Sequence, residues 1–245
     1  MKHVLLQFDI LPSTSTYLKE HPFLEDGTVV SSSSQSKGRG RLGRIWQDDG
    51  NSLLFSFLLK GDKYASILNL VSILTGAAME KTLLDMGFDS KVKWPNDIYL
   101  NDKKICGILV ESSFKEKLEA IYVGVGLNLN NKSFPNELKE NATSLFLESK
   151  KEFNKFDVLK EFLSNFDSLL LDYEKGKNSF YQLISKNDYL KGKKVYLNYY
   201  GENKYVTSLG IDIDGKMIVK DENEKITKVT SGEATLIKKS YSLDL

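Results

Sequence analysis

The chain has 245 residues, of which 41% are hydrophobic and 27% charged, and a formal net charge of +1. Such a length buries a substantial core and suits one large domain followed by a small one, while the near-neutral balance excludes a polyelectrolyte that holds nucleic acid by overall charge. The single cysteine, Cys106, excludes an intramolecular disulfide and fits a reducing, cytoplasmic setting. His3 and His21 have no metal-ligand spacing with it, so no structural metal centre is expected. No apolar run approaches the roughly 20 residues needed to span a bilayer. Val4-Leu5-Leu6 is too short for a signal-peptide core.

In chain order, the stretch from Val4 to Phe8 predicts a strand. The hydroxyls of Ser13 or Thr14 cap a helix over Tyr17-Leu18-Lys19-Glu20. A second strand, Thr28 to Ser32, runs into Ser36-Lys37-Gly38-Arg39-Gly40-Arg41-Leu42-Gly43-Arg44. That loop packs four cations and three glycines into nine residues. Glycine lets the backbone approach a ligand closely, and arginine offers a planar fork to carboxylate and phosphate oxygens. The loop is built to wrap an anion and to order around it. Arg-Gly runs also occur in RNA-binding segments, so the rest of the chain must decide.

Ser52 to Lys60 is nearly continuous in apolar residues and predicts a strand buried on both faces. Tyr64 to Met86 reads as one long central helix, apolar around much of its circumference and ended by Gly87. Val92 to Leu100 and Lys104 to Glu111 read as a hairpin with an Asn101-Asp102 turn. Pro95 marks an irregular point beside Asn96 and Asp97. Ala120 to Leu129 predicts another strand, whose Gly124 and Gly126 let something lie against its backbone. An amphipathic helix follows at Phe156 to Tyr173, stopped by Gly176, and a shorter one at Ser179 to Ile184. Beyond Gly192, short strands are expected at Lys194 to Tyr199, Lys204 to Ile213, Lys216 to Lys220 and Ile226 to Val229. Asp214-Gly215 supplies a hairpin turn, and the set suggests a small SH3-like barrel. The expected division is 1–188 for a large catalytic domain and 189–245 for the small one.

Taken together these motifs resemble the bacterial biotin protein ligases, along nearly the whole chain. The resemblance rests on Ser13-Thr14, on Gln35 ahead of the glycine-arginine loop with Ile45-Trp46, and on Lys93-Trp94-Pro95-Asn96-Asp97. It extends through Lys103-Lys104-Ile105-Cys106-Gly107-Ile108-Leu109-Val110-Glu111, Gly124-Val125-Gly126-Leu127-Asn128, and the tail Ser231-Gly232-Glu233-Ala234. Leu42 departs from the family where a basic residue is frequent, and Ser15 where asparagine is frequent.

The resemblance implies an α+β fold: a mixed central sheet with packed helices, like a class II synthetase, and then the SH3-like barrel. It implies activation of biotin by ATP to biotinyl-5′-AMP, then transfer to a lysine of the biotin carboxyl carrier domain of acetyl-CoA carboxylase or another carboxylase. Lys104, Arg41 and Asp97 are the implied catalytic residues. Ser13, Thr14, Ser15, Gln35, Gly38, Arg39, Gly40, Gly107, Gly124 and Gly126 are implied for biotin, with Arg41 and Lys104. Arg44, Trp46, Asn96 and Asn128 are implied for ATP, with Arg39, Arg41, Asp97 and Lys104. Arg39 would orient the biotin carboxylate, and Arg41 would bridge it to the phosphate. Lys104 would sit between carboxylate and α-phosphate, and the loop would act as a lid over the adenylate. Mg²⁺ is expected to arrive with ATP rather than on a protein ligand set. Asp97 either helps to place it or takes the acceptor's proton.

The catalytic region begins within ten residues of Met1, so no sequence-specific DNA binding is expected. An open sheet edge would permit a homodimer. Trp94 reads as core and Cys106 as a buried, inert hydrophobe. Three other readings stay open. A lipoate or octanoate ligase or transferase has no need of so charged a clamp. A non-catalytic biotin sensor has no need of Lys104 and Asp97. An RNA-binding module lacks further basic clusters.

Overall fold

The structure, a computed structural model, describes residues 1–199, 201–230 and 232–236. Its first half builds β1 (Val4–Leu11), α1 (Thr14–Glu20), β2 (Thr28–Gln35) and β3 (Leu53–Lys60). It continues with α2 (Val71–Asp85), β4 (Lys91–Lys93), β5 (Asp97–Leu100), β6 (Lys103–Phe114) and β7 (Leu118–Leu127). Four helices follow: α3 (Asn136–Lys139), α4 (Leu145–Ser149), α5 (Lys155–Glu174) and α6 (Ser179–Lys186). The last part is β8 (Lys194–Tyr199), β9 (Glu202–Ile211), β10 (Met217–Lys220), β11 (Ile226–Val229) and β12 (Glu233–Leu236).

The large sheet has the order β1-β2-β3-β7-β6-β5-β4 and is mixed, with β1 and β2 parallel and the other pairs antiparallel. β3 lies in its interior, and its residues Leu53 to Leu59 are all buried. Burial on both faces is what a strand without apolar–polar alternation requires. α2 and α5 cover one face, where Phe55 and Phe57 meet Phe162 and Phe166 at ring separations of 4.8–6.1 Å. α1 lies against the sheet through Leu18, Val30 and Leu58. The second sheet, β11-β10-β9-β8-β12, is wholly antiparallel and fits an SH3-like module. No described helix is long and apolar enough to cross a membrane.

Two expectations change. The segment expected as one helix from Tyr64 to Met86 is a short 3₁₀ turn at Asp62–Ile67, a break, and then α2. Apolar periodicity runs through the break because Ile67, Leu70 and Val71 are all buried, so burial pattern alone could not reveal it. The first strand of the expected hairpin is split into β4 and β5 by a turn at the cis Trp94–Pro95 bond. Pro95 has no N–H to give a ladder, so the chain turns there and presents Asn96 and Asp97 at its exit. The Asn101-Asp102 turn between β5 and β6 forms as expected, with φ values of 49° and 63°. Of the family-like tail, Ser231 lies outside the described residues and Glu233-Ala234 opens β12.

The two sheets interlock through Trp94. Its indole is 1% exposed, and Nε1 donates to the Gly215 carbonyl at 3.2 Å in the β9–β10 turn. Gly215 has φ 77°, which L side chains rarely adopt, and a Cβ there would press on Leu70 Cδ1 at 3.0 Å beside α2. Trp94 therefore belongs to the core, as its sequence setting suggested.

Candidate active site

A cavity of about 350 Å³ opens over the large sheet, beneath the glycine-arginine loop and beside β12. Its floor is a patch of bare backbone. Gly107 on β6 pairs with Gly126 on β7. A Cβ at Gly126 would lie 2.6 Å from Trp46 Cε2, and one at Gly107 would lie 2.8 Å from Trp46 Cζ3. The two glycines are what lets the indole lie against the sheet. Gly124 does something else, since a Cβ there would lie 2.8 Å from Ser15 Oγ. Among the described residues Trp46 Nε1 is buried without an acceptor, and Lys104 Nζ lies 5.7 Å from the indole centroid.

One end of the cavity is a chain of hydroxyls at the start of α1. Ser13 caps that helix through a long 3.4 Å bond from Thr16 N, while Thr14 lies within it. Thr14 N and Oγ1 both donate to Gln35 Oε1, at 2.6 and 3.1 Å. With its proton so used, Thr14 Oγ1 accepts from Ser56 Oγ at 2.7 Å, and Ser56 accepts from Ser15 Oγ at 2.8 Å. Ser15 thus takes part although asparagine is more frequent there in the family. Ser56 was missed because β3 reads as core. The available signal was a lone hydroxyl inside Leu53-Leu54-Phe55-Ser56-Phe57-Leu58-Leu59, a fully buried Oγ that has to find a partner.

The other end gathers the cations; of the acidic groups that hold them, sequence reasoning singled out Asp97 as a site residue but not Glu111 or Glu233. Arg39 Nη2 lies 3.1 Å from Glu111 Oε2, and Lys19 Nζ takes the other oxygen at 2.6 Å. Arg44 Nη2 lies 2.7 Å from Glu233 Oε1 on β12. Arg41 Nη1 donates to Asn96 Oδ1 at 3.1 Å and Nη2 to the Gly232 carbonyl at 3.2 Å. Lys104 Nζ lies 2.7 Å from Asp97 Oδ1. Lys104 is fixed from behind: its N donates to the Asn141 carbonyl at 2.8 Å and its carbonyl accepts from Thr143 N at 3.0 Å. The loop itself closes through Gly40 N to the Arg44 carbonyl at 2.7 Å, with Leu42 at φ 54° and 72% exposed.

Two of the expected site residues face other tasks. Gly38 does not line the cavity; a Cβ there would lie 2.8 Å from the Trp46 carbonyl, so Gly38 lets the two stems of the loop meet. Asn128 reaches the cavity wall, but its Nδ2 donates to the Thr143 carbonyl at 3.0 Å and ties β7 to the loop behind Lys104.

A polar slot that leads into converging guanidinium and ammonium groups suits the joining of two anions in a partly dry site. The fold and site thus define an enzyme that activates a carboxylate. Residues 7–128 match the model of the biotin/lipoate A/B protein ligase family. Over 240 residues the chain is 30% identical to the bifunctional ligase/repressor BirA of Bacillus subtilis, covering 95% of this chain and 74% of that protein. It belongs to this family. A biotin–[acetyl-CoA-carboxylase] ligase of Paracoccus denitrificans is 34% identical over 116 residues, 46% of this chain and 48% of that one. Among solved structures, the biotin protein ligase of Aquifex aeolicus in complex with biotin and ATP superposes with a TM-score of 0.85 at 28% identity, covering 96% of this chain and 98% of that chain.

Proposed function

We propose that this chain is a biotin protein ligase, which couples biotin to AMP and passes it to a lysine of a biotin carboxyl carrier domain. The observation that carries the reading is the meeting, in one cavity, of the Thr14–Gln35–Ser56 slot with loop arginines and strand Lys104. Relatives named as biotin ligases, and a 28%-identical neighbour solved with biotin and ATP, support it.

In the first step a biotin carboxylate oxygen bonds to the α-phosphorus, the bond to the β-phosphate oxygen breaks, and pyrophosphate leaves with the electron pair. Two anions must approach, and negative charge grows on the phosphoryl oxygens. Lys104, braced on β6, answers that charge; Arg39 and Arg41 hold the carboxylate. For this they must exchange Asp97, Glu111, Asn96 and the Gly232 carbonyl for ligand oxygens. Those protein partners keep the cations apart and oriented beforehand. Trp46 offers a flat face for adenine. The Thr14–Gln35–Ser56 chain addresses the ureido group of biotin.

In the second step the acceptor amine bonds to the acyl carbon and AMP leaves, with one amine proton lost. Asp97 is the carboxylate at hand. Among the described residues its Oδ1 has no aligned donor despite the nearby Lys104, and it stands beside Asn96. Such hard oxygens fit Mg²⁺, which keeps its waters and is bound through few protein groups plus phosphate. When bound with ATP, the ion would offset charge on the phosphates, and Asp97 and Asn96 would hold it. Buried Cys106, its thiol pKa raised by burial, suits a cytoplasmic enzyme. The uncovered edge strand β1, with Val4 and Ile10 exposed, offers a pairing edge for a homodimer.

The test is ATP–pyrophosphate exchange with Mg²⁺ and biotin, lipoate, octanoate or no acid. Exchange with biotin alone is expected. Exchange with lipoate or octanoate in its place would move the chain to the acyl-ligase branch of the family, and silence with every acid would leave a sensor.

A further inference from the structure

Lys104 sits where the regular sheet ends. The β6–β7 ladder begins only at the Cys106–Leu127 pair, past Lys104. On the other side, the β5–β6 register shifts between the Ile98–Cys106 and Tyr99–Lys104 pairs, which leaves Ile105 without an opposite residue on β5. Such an irregularity re-aims the side chains beside it and interrupts the local ladder. The place that β7 would take beside Lys104 is filled by residues 141–143. Lys104 forms a parallel bridge with Ala142, donates its N–H to the Asn141 carbonyl and accepts from Thr143 N. A short segment outside the strands therefore sets where this side chain starts.

Glu148, on α4, touches both stretches of chain that flank Lys104. Its Oε1 accepts from Thr143 Oγ1, and its Oε2 accepts from Asn101 Nδ2 at 2.7 Å. Asn101 belongs to the turn that leads into β6, and Thr143 to the segment beside Lys104. Thr143 is buried, whereas Asn101 and Glu148 lie at the surface. The Thr143 bond is local to the start of α4, which Ser144 already caps. The Asn101 bond spans 47 positions and joins α4 to a different part of the fold. Exposed charged contacts add little to overall stability. A carboxylate with one oxygen on each segment can still fix one against the other, and an ionised acceptor makes the stronger bonds. Glu148 is not among the residues that line the cavity, so it acts on the ligands only through others.

We propose that Glu148 is a positioning residue for Lys104. It clasps the β5–β6 turn to residues 141–143 and so holds the backbone from which the Lys104 ammonium reaches into the cavity. Its effect on rate rests on the ligase reading above. In that reaction the ammonium must meet charge on the α-phosphate, and a displacement of about 1 Å costs on the order of 100-fold.

The test measures single-turnover biotinyl-AMP formation in Glu148→Ala, Glu148→Gln and Asn101→Gly. Glu148→Ala should lower the rate by about 10–100-fold and leave biotin affinity within about twofold. Glutamine can accept from Asn101 through its carbonyl and donate to Thr143 through its amide, so Glu148→Gln should recover most of the rate. A glutamine variant as slow as the alanine one would mean that charge acts rather than the clasp, and would overturn the proposal. Asn101→Gly keeps the positive φ of the turn and the start of α4 but removes the distant arm. It should lose at least about threefold in rate. A cycle with Lys104→Ala excludes a merely structural role. A residue that acts through another adds nothing in its absence, so Glu148→Ala should cost no more than about twofold further once Lys104 is gone. An equal loss in both backgrounds would defeat the proposal, as would a Glu148→Ala enzyme within about twofold of wild type. If Glu148→Ala does not fold, Asn101→Gly enters the same cycle with the same criteria. Amide hydrogen exchange separates the clasp from the ligase reading. Exchange at Lys104 and Thr143 should quicken about tenfold in Glu148→Ala, whichever acid the protein activates. A wild type silent with biotin whose Lys104 amide still loosens in the variant would sink the ligase reading and keep the clasp. Unchanged exchange at both amides would remove the clasp.

Discussion

Lys104 gains its value from what holds it. A lysine that opens a strand usually faces water, yet here the backbone on both sides of it is tied to the Asn141–Thr143 segment, and Nζ lies 2.7 Å from Asp97 Oδ1. Lys104→Ala should lower biotinyl-AMP formation by about 100–1,000-fold, the cost of one oriented charge-stabilising donor. Biotin affinity, set by the hydroxyl slot, should stay near wild type; single-turnover assays with equilibrium dialysis check both. Glu80 is a residue of the opposite kind, fully buried on α2, with Oε1 accepting from Asn187 Nδ2 and Oε2 without a partner among the described residues. Burial raises its pKa above the ordinary 4.5, and the Asn187 bond partly opposes this. A folded-state pKa raised above the unfolded value makes a contribution that is present at low pH and lost as pH rises through the folded value. At neutral pH the charged carboxylate therefore costs stability. Glu80→Gln keeps the Asn187 contact and should raise Tm at pH 7 to 8, by roughly 2–4 °C for each 1 kcal/mol recovered. The gain should shrink as pH falls toward about 4.5, which thermal melts across pH would show.

The elements that matter most are the bare patch on β6–β7 and the loop that lies on it. The three atoms nearest a Cβ at Gly126 all belong to the indole of Trp46, a side chain on a loop that can shift. Gly126→Ala should therefore change stability by less than about 1 kcal/mol, within the range of a substitution whose neighbour can move. It should nonetheless displace Trp46 and weaken ATP binding about tenfold, about one stacked contact's worth. Trp46 and Trp94 both line the cavity, so direct calorimetric titration with ATP, and not tryptophan fluorescence, reads the effect. An ATP affinity unchanged in that variant would remove Trp46 from the nucleotide site.

At the scale of the whole molecule, the second sheet is part of the site. Arg44 reaches Glu233, and Arg41 reaches the Gly232 carbonyl, so β12 and the chain just before it help hold the loop. The Arg44–Glu233 pair is largely exposed and contributes little stability. Trp94 is the mechanical link, because its indole fills the space between the sheets and donates to Gly215. Trp94→Ala should cost about 3–5 kcal/mol, as for other buried aromatic truncations. Calorimetry should then show a lowered melt that separates into two transitions. A single, barely shifted transition would mean that the sheets are joined elsewhere.

Local chemistry was readable along the chain. β8 and β11 form over the residues expected from alternation and turn signals, and the Asn101-Asp102 and Asp214-Gly215 turns stand where their residue types put them. The glycine-arginine loop announced anion chemistry, since few other uses explain so many cations and glycines together. Other features became visible only once distant segments met. The break before α2 is hidden by residues that are buried on either side of it. Ser56 is a hydroxyl among apolar neighbours until α1 brings Thr14 and Ser15 to it. Glu111 and Glu233 stand in the sequence only as the ends of longer motifs, with no partner in view. Their importance comes from facing, across strands and between sheets, charges that lie up to 189 positions away in the chain, as Glu233 does from Arg44. Propensity and turn chemistry act over a few residues, and the sequence determines them directly. Desolvation and charge pairing depend on which surfaces the fold brings together, and that was decided by the tertiary structure alone.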